Sequence, residues 1–107
     1  MKAFEDKEKA AEKKFVLAAE EEFKAEARRN KKLALWAAEL MNKDADDAKA
    51  YVTEVILADM EEAGDDDVFR KLKADFGAAG VEVSDVALRD KMKIMLEEAR
   101  QEIANGE

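Results

Sequence analysis

The stretch that decides the fold is DDDVFRKLKADFGAAG, residues 65–80. It opens with three aspartates, which suit a helix N-cap and the first helical turn. Apolar residues then recur at three- and four-residue steps, which is typical of an amphipathic helix. The predicted buried face consists of Val68, Phe69, Leu72, Phe76 and Ala79. Gly80 supplies a helix stop, so the pattern predicts a helix over 65–80 with Phe69 and Phe76 as core anchors.

Three further segments show the same helical period. The first is predicted to run from about residue 20 to Met41 and to stop near Asn42. The second begins at Asp44, ends at Gly64, and carries a capping-box-like pair formed with Asp47. The fourth begins after the cap residue Ser84, which follows a short extended link over 81–83. Four amphipathic helices with short connections predict an all-α protein, a small antiparallel four-helix bundle.

Each predicted helix has its own apolar stripe. In the first helix the stripe is Phe15, Ala19, Phe23, Ala27, Leu33, Ala34, Ala37, Leu40 and Met41. In the second it is Ala45, Ala48, Val52, Val55, Ile56, Met60 and Ala63, and in the fourth Leu88, Met92, Met95, Leu96, Ala99 and Ile103. Trp36 is expected in the core or at its rim, because tryptophan is well buried on average. The stripe methionines are interpreted as core filler.

The composition supports a single folded helical domain that is not an enzyme. The chain has 107 residues, 48% hydrophobic and 43% charged, and it has no proline. It contains neither histidine nor cysteine, so the common nucleophile–base pairs and transition-metal sites are missing. We therefore expect no catalytic residues, no metal and no cofactor. The absence of cysteine, of a signal peptide and of a long apolar run favours a cytoplasmic protein with no membrane insertion.

The charge is unevenly distributed along the chain. The net charge is −8; residues 1–42 carry 10 Lys and Arg against 9 Asp and Glu, and the remainder carries 9 against 18. An acidic protein of this kind is a poor ligand for nucleic acid. Arg28, Arg29 and Lys32 are candidate contacts for phosphate or an acidic surface; alternatively, the run 28–32 is a solvated face paired with glutamates such as Glu26. The aspartate clusters at 44–47 and 65–67 indicate helix caps and not calcium loops.

Residues 1–17 differ from the rest of the chain. Phe4, Ala11 and Phe15 share one helical face, but this stripe is thin. A short isolated helix is marginal in water. We expect a flexible arm over 1–17, disordered or frayed when free and helical when a partner covers it, followed by a bundle domain over 18–107. The alternative is a solvated extension of the first helix with no role.

Two long strings resemble one known family. Residues 23–38, FKAEARRNKKLALWAA, and residues 59–76, DMEEAGDDDVFRKLKADF, resemble the zeta subunit, the ATPase-inhibitor protein of alphaproteobacterial F-type ATP synthases. Residues 80–85, GVEVSD, continue the match. The resemblance extends over essentially the whole chain and implies a small four-helix protein.

The resemblance also implies a function and a partner-binding segment. It implies a protein that is monomeric when free and inhibits ATP hydrolysis by the catalytic head, meaning its alpha, beta and gamma subunits, on the cytoplasmic side of the membrane-bound enzyme. The inhibitory element is the N-terminal segment, and the matching positions are Phe4, Lys7, Glu8, Glu12, Lys13 and Phe15.

This chain departs from the family within that segment. The family usually carries an aromatic residue at the position of Ala11 and often a His-Asp pair at Leu17-Ala18. Two alternatives therefore stay open: a helical interaction or assembly protein whose arm inhibits weakly or not at all, and a phosphate- or nucleotide-sensing module that uses Arg28, Arg29 and Lys32.

Overall fold

The computed structural model describes residues 2–61 and 64–107, and the side chains of 18–61 and 64–107. These residues form four α-helices: α1 (Lys2–Leu40), α2 (Ala45–Asp59), α3 (Asp66–Ala79) and α4 (Asp85–Ala104). The described ranges contain helices and connections but no strand, which confirms the predicted all-α four-helix fold. Within the described residues, no helix is both long enough and apolar enough to cross a membrane.

Local capping chemistry sets most of the helix ends, as predicted. Asn42 adopts a positive φ of 58° in the turn after α1. The Asp44 side chain accepts a hydrogen bond from the Asp47 backbone N–H at 2.8 Å. Gly80 ends α3 with φ 71°, and the Ser84 hydroxyl accepts from the Ala87 N–H at 3.1 Å. These caps satisfy backbone groups that helix ends leave without partners.

The end of α2 was predicted wrongly. The helix ends at Asp59, with Met60 as its C-cap, and does not continue to Gly64. The sequence places acidic residues at 59, 61 and 62, where they would lie at the negative end of the helix macrodipole. Met60 is 74% exposed, so it is not core filler. Ala63, also predicted in this stripe, lies outside the described residues.

The core forms where α1 packs against α2 and α4, with α3 closing one side. The buried cluster comprises Leu33, Ala34, Ala37, Ala38, Tyr51, Val55, Val68, Leu72, Phe76, Leu88 and Met92. Trp36 lies at its rim and meets the Phe76 ring edge-on, at a centroid distance of 5.7 Å. Arg28 contacts Glu107, Lys32 contacts Glu98 and Trp36 contacts Lys91, and this progression indicates that α1 and α4 run antiparallel.

Several stripe positions are less buried than predicted. Phe69 packs against the core cluster but is only partly buried, and the Arg89 guanidinium lies over its ring with 3.9 Å between the guanidinium carbon and the ring centroid. Phe76, in contrast, is a buried anchor as predicted. The predicted stripe residues that are exposed are Ala19, Phe23, Ala27, Leu40, Ala45, Met60 and Ala79. They lie near helix ends or on faces that no neighbouring helix covers.

Candidate partner-binding site

The predicted partner-binding arm coincides with the start of α1. The backbone of α1 begins at Lys2 and continues without a break into the bundle. The side chains of the predicted contact residues lie outside the described part of the chain; they are Phe4, Lys7, Glu8, Ala11, Glu12, Lys13 and Phe15. The prediction of an arm that is disordered when free falls on the same residues. Both stay predictions.

Two of the candidate anion-binding cations face α4. The Arg28 guanidinium pairs with the Glu102 carboxylate at 3.8 Å and donates a hydrogen bond to the backbone carbonyl of Glu107. Lys32 pairs with Glu102 and, at 3.7 Å, with Glu98. These pairs join α1 to the last turns of α4. The alternative interpretation predicted ion pairs with glutamates three or four residues away on α1. The observed partners of Arg28 and Lys32 are instead on α4 and just after its end.

Arg29 faces a different part of the bundle and is 3% exposed. Its Nε donates to the Asn30 side-chain oxygen at 3.0 Å, and Asn30 Nδ2 donates in turn to Asp59 at 2.9 Å. The guanidinium also lies 3.8 Å from a carboxylate oxygen of Asp59 and 3.7 Å from one of Asp65. This buried polar cluster ties the middle of α1 to both ends of the connection between α2 and α3.

The structure therefore separates the three predicted cations by role. Arg28 and Lys32 are partly exposed on the α4 side, whereas Arg29 is buried on the α2–α3 side. A helix displays consecutive residues about 100° apart, which accounts for this division. Each cation already has an acidic or carbonyl partner within the chain, so an external phosphate would have to displace it. Binding of phosphate or an acidic surface at these residues stays a prediction.

A further charge pair joins α1 to α4 close to the arm. The Arg100 guanidinium donates to both carboxylate oxygens of Glu22, at 3.0 and 2.6 Å. This is the bidentate geometry in which Arg–carboxylate pairs are strongest. The hydrogen bond from Arg100 holds the pKa of the Glu22 carboxyl below its usual range. Because both side chains are about half exposed, solvent screens the pair and its contribution to stability is small.

The aspartates at the start of α3 were predicted to cap the helix, but two of them pair with a residue of α4. Asp65 occupies the N-cap position, but its side chain makes no cap hydrogen bond. Arg89 of α4 instead donates to Asp65 at 3.5 Å and to Asp66 at 2.8 Å, so these carboxylates join α3 to α4. Asp67 is buried and pairs with Arg70. Among residues with described side chains, no group of three or more His, Cys, Asp or Glu is arranged to hold a metal ion.

A second polar contact holds α2 against α3. The Tyr51 hydroxyl donates to the Asp75 carboxylate at 2.7 Å, and the ring is 2% exposed. Burial, together with this acidic partner, raises the pKa of Tyr51. The ammonium groups of Lys43 and Lys71 lie 5.3 and 5.4 Å from the ring centroid, within cation–π range. The sequence offered no signal for this contact, because Tyr51 falls outside the stripe predicted for the second helix.

Several large apolar side chains are exposed in a way that the sequence analysis did not predict. Phe23 is 71% exposed, although its spacing predicted a core position. Leu57 and Met60, at the end of α2, are 60% and 74% exposed. Phe23 and Met60 fit the helical period of their predicted stripes, whereas Leu57 was not in a stripe; the period does not indicate where the neighbouring helix ends.

The fold defines a class: a small all-α bundle with an apolar core, in which cation–carboxylate pairs link neighbouring helices. Its family is given by a family model, ATPase inhibitor subunit zeta, which matches residues 1–102. The chain belongs to this family, as the resemblance in residues 23–38 and 59–76 implied. An ATPase-inhibitory regulatory role follows from that membership.

A solved structure shows the same fold. The chain is similar to a protein determined by solution NMR, with 40% sequence identity and a TM-score of 0.68. The match covers 79% of this chain and 96% of that one. No curated protein matches the chain.

Proposed function

We propose that this protein binds the catalytic head of the F-type ATP synthase and inhibits ATP hydrolysis through residues 1–17. The observation that carries the proposal is the extent of the family match, which runs over residues 1–102 and so includes the arm as well as the bundle. The chain acts as a binding protein and performs no catalysis of its own. It is monomeric when free and works on the cytoplasmic side of the membrane-bound enzyme.

The arm works by presenting an apolar strip to an interface between subunits of the head. In a bound helix, Phe4, Ala11 and Phe15 lie on one face, since they are seven and four residues apart. The charged positions Lys7, Glu8, Glu12 and Lys13 flank this strip. Interface energy concentrates in a few buried anchors, whereas rim charges act mainly on the association rate. The alpha, beta and gamma subunits together provide an interface that such a helix can enter.

The test is a hydrolysis assay with the cognate enzyme, with ATP synthesis measured separately. We expect Phe4→Ala to weaken inhibition more than Lys7→Ala does, and Ala11→Phe to strengthen it. Added salt should slow the onset of inhibition more than it lowers the final extent, because screening acts chiefly on steering between exposed charges. Equal inhibition by wild type and all three variants would show that the arm is not the inhibitory element.

A second candidate is a family member that binds the enzyme, as an assembly or interaction protein, and inhibits weakly or not at all. It is favoured by Ala11 and by the pair Leu17-Ala18, which replace residues usual in the family's inhibitory segment. The same assay separates the two candidates when binding is measured alongside hydrolysis. Tight binding of wild type with little inhibition, together with a gain of inhibition in Ala11→Phe, would favour the second candidate.

A further inference from the structure

The bundle covers residues 18–24 of α1 at a single position. Six of these seven side chains are exposed, and only Glu22 is partly buried. Ala25, which is 1% exposed, is the first core residue of α1 among the described side chains. The edge of the bundle along α1 therefore lies at Glu22, and the helix continues beyond it without a covering neighbour.

Arg100 of α4 makes the contact at this edge. Its Nε and Nη2 atoms donate to the two carboxylate oxygens of Glu22, at 3.0 and 2.6 Å. Its third nitrogen, Nη1, donates to Glu97 at 3.2 Å, one turn earlier on α4. The neighbouring Ala99 is fully buried, so the backbone that carries Arg100 is anchored in the core. Glu97 thus helps to orient the guanidinium, which presents one edge to α1.

This pair is the outermost polar link between α1 and the bundle. Among the described side chains of residues 18–24, no other hydrogen bond or ion pair reaches a second helix. Without the pair, the first contacts of α1 are the packing of Ala25 and the ion pair between Arg28 and Glu102, at 3.8 Å. Arg28 lies six residues after Glu22, which is about 9 Å along the helix axis. The pair therefore sets how much of α1 the bundle holds.

A helical turn that is held in place matters for the residues that precede it. Starting a helix in water is costly, whereas adding residues to an existing helical turn is not. The α1 backbone is continuous from the proposed inhibitory segment into residues 18–24. A segment that binds as a helix loses less conformational entropy when the adjoining turns are already ordered. The direction of those turns also fixes the direction in which the segment leaves the bundle.

We propose that Arg100, acting through Glu22, is a positioning residue for the inhibitory segment. It holds the last covered turns of α1 as helix and so fixes the base from which the segment extends toward the ATP synthase. This inference rests on the function proposed above.

The first test is hydrogen exchange of the free, full-length chain, followed residue by residue by NMR. Glu22→Gln and Arg100→Gln each remove the pair, and each should speed exchange of the backbone amides over 18–24. The expected factor is about two- to fivefold, which is the range for an exposed ion pair. Amides of core residues such as Leu33 and Ala37 should exchange at the wild-type rate, because only the local opening changes.

Two further variants show whether the effect belongs to this pair. Glu21→Gln is the matched control: it removes an adjacent carboxylate that is exposed and makes no ion pair with a described residue, so exchange should not change. The double variant Glu22→Gln/Arg100→Gln should exchange like either single variant, because both substitutions remove the same contact. Doubling of the effect in the double variant would show that the two side chains act separately, which contradicts the inference.

The second test is inhibition of ATP hydrolysis by the cognate enzyme. Arg100→Gln should raise the concentration that gives half-maximal inhibition by about two- to fivefold, the same factor as in exchange. The maximal extent of inhibition should not change, because the segment retains its own contacts. Arg100→Lys should fall between wild type and Arg100→Gln, since lysine keeps the charge but loses the bidentate geometry.

The outcomes separate this inference from the function on which it rests. If wild type does not inhibit, the proposed function fails and the positioning role fails with it. If exchange over 18–24 rises but the half-inhibition concentration does not, the positioning role is overturned and the proposed function stands. Unchanged exchange over 18–24 overturns the inference as well. So does an equal rise in the core amides, since the pair would then support the bundle as a whole.

Discussion

Replacing Arg29 with methionine tests whether the buried polar cluster holds the bundle together. Arg29 links α1 to both ends of the α2–α3 connection through Asn30, Asp59 and Asp65. Methionine retains an apolar stem of similar length, so the substitution removes the charge and the donors without opening a large cavity. The expected result is a folded but less stable protein.

The size of the loss follows from the individual contacts. The hydrogen bond from Arg29 Nε to Asn30, at 3.0 Å, has a charged donor and contributes about 1.5–3 kcal/mol. The ion pairs at 3.7 and 3.8 Å involve carboxylates that are partly in water, so each contributes less than about 1 kcal/mol. Removing the buried cation also relieves its desolvation cost, which offsets part of the loss. We therefore expect a decrease of about 2 kcal/mol in the free energy of unfolding.

Chemical denaturation of the full chain measures this quantity, and thermal unfolding checks it. A loss of 2 kcal/mol should lower the melting temperature by about 8–16 °C in a domain of this size. Lys32→Met is the matched control: it removes a cation three residues away whose side chain is 30% exposed, and it should cost less than about 1 kcal/mol. If the two variants are equally stable, the cluster around Arg29 does not support the fold in the way argued.

The remaining predictions concern the core and the charge pairs. Phe76→Ala should cost roughly 3–5 kcal/mol, because the ring is buried, whereas the partly buried Phe69 should cost less when replaced by alanine; denaturant titration compares the two. Tyr51→Phe should lose about 1 kcal/mol in the same assay, since it leaves the Asp75 carboxylate without its hydroxyl donor. Glu22→Gln should cost under about 1 kcal/mol at neutral pH. Because the folded-state pKa of Glu22 is lowered, its contribution is present above the unfolded pKa and lost as pH falls through the folded one, so the two proteins should unfold alike in acid. A difference that persists there would contradict the assignment.

Features governed by local chemistry could be predicted from the sequence. The hydrogen bonds at Asp44 and Ser84 span three residues, and the left-handed turn at Gly80 depends on that residue alone. Each of these signals lies next to the element it terminates, so no knowledge of packing is needed. The class of protein could also be predicted, because residues 23–38 and 59–76 resemble the family that the family model then identified. The order and number of helices followed from such signals.

Features governed by distant partners could not be predicted. Arg29 and Asn30 appear in the sequence as part of a polar run. Both are nevertheless buried, because Asp59, about 30 residues later in the chain, packs against them. Tyr51 is buried for a similar reason, since its acceptor Asp75 lies 24 residues away on α3. One-dimensional periodicity identifies a face of a helix but does not identify which polar residues on that face will find a partner.

Phe23 shows that an apolar residue can likewise be exposed when its face of the helix has no covering neighbour. Phe23, Asn30 and Ala37 are spaced at seven residues and lie on one face of α1, so the helical period treats them alike. Asn30 and Ala37 are buried, and Phe23 is 71% exposed, because α2 ends against Asn30. The part of an apolar stripe that extends past the end of the covering helix is therefore exposed to solvent and does not belong to the core.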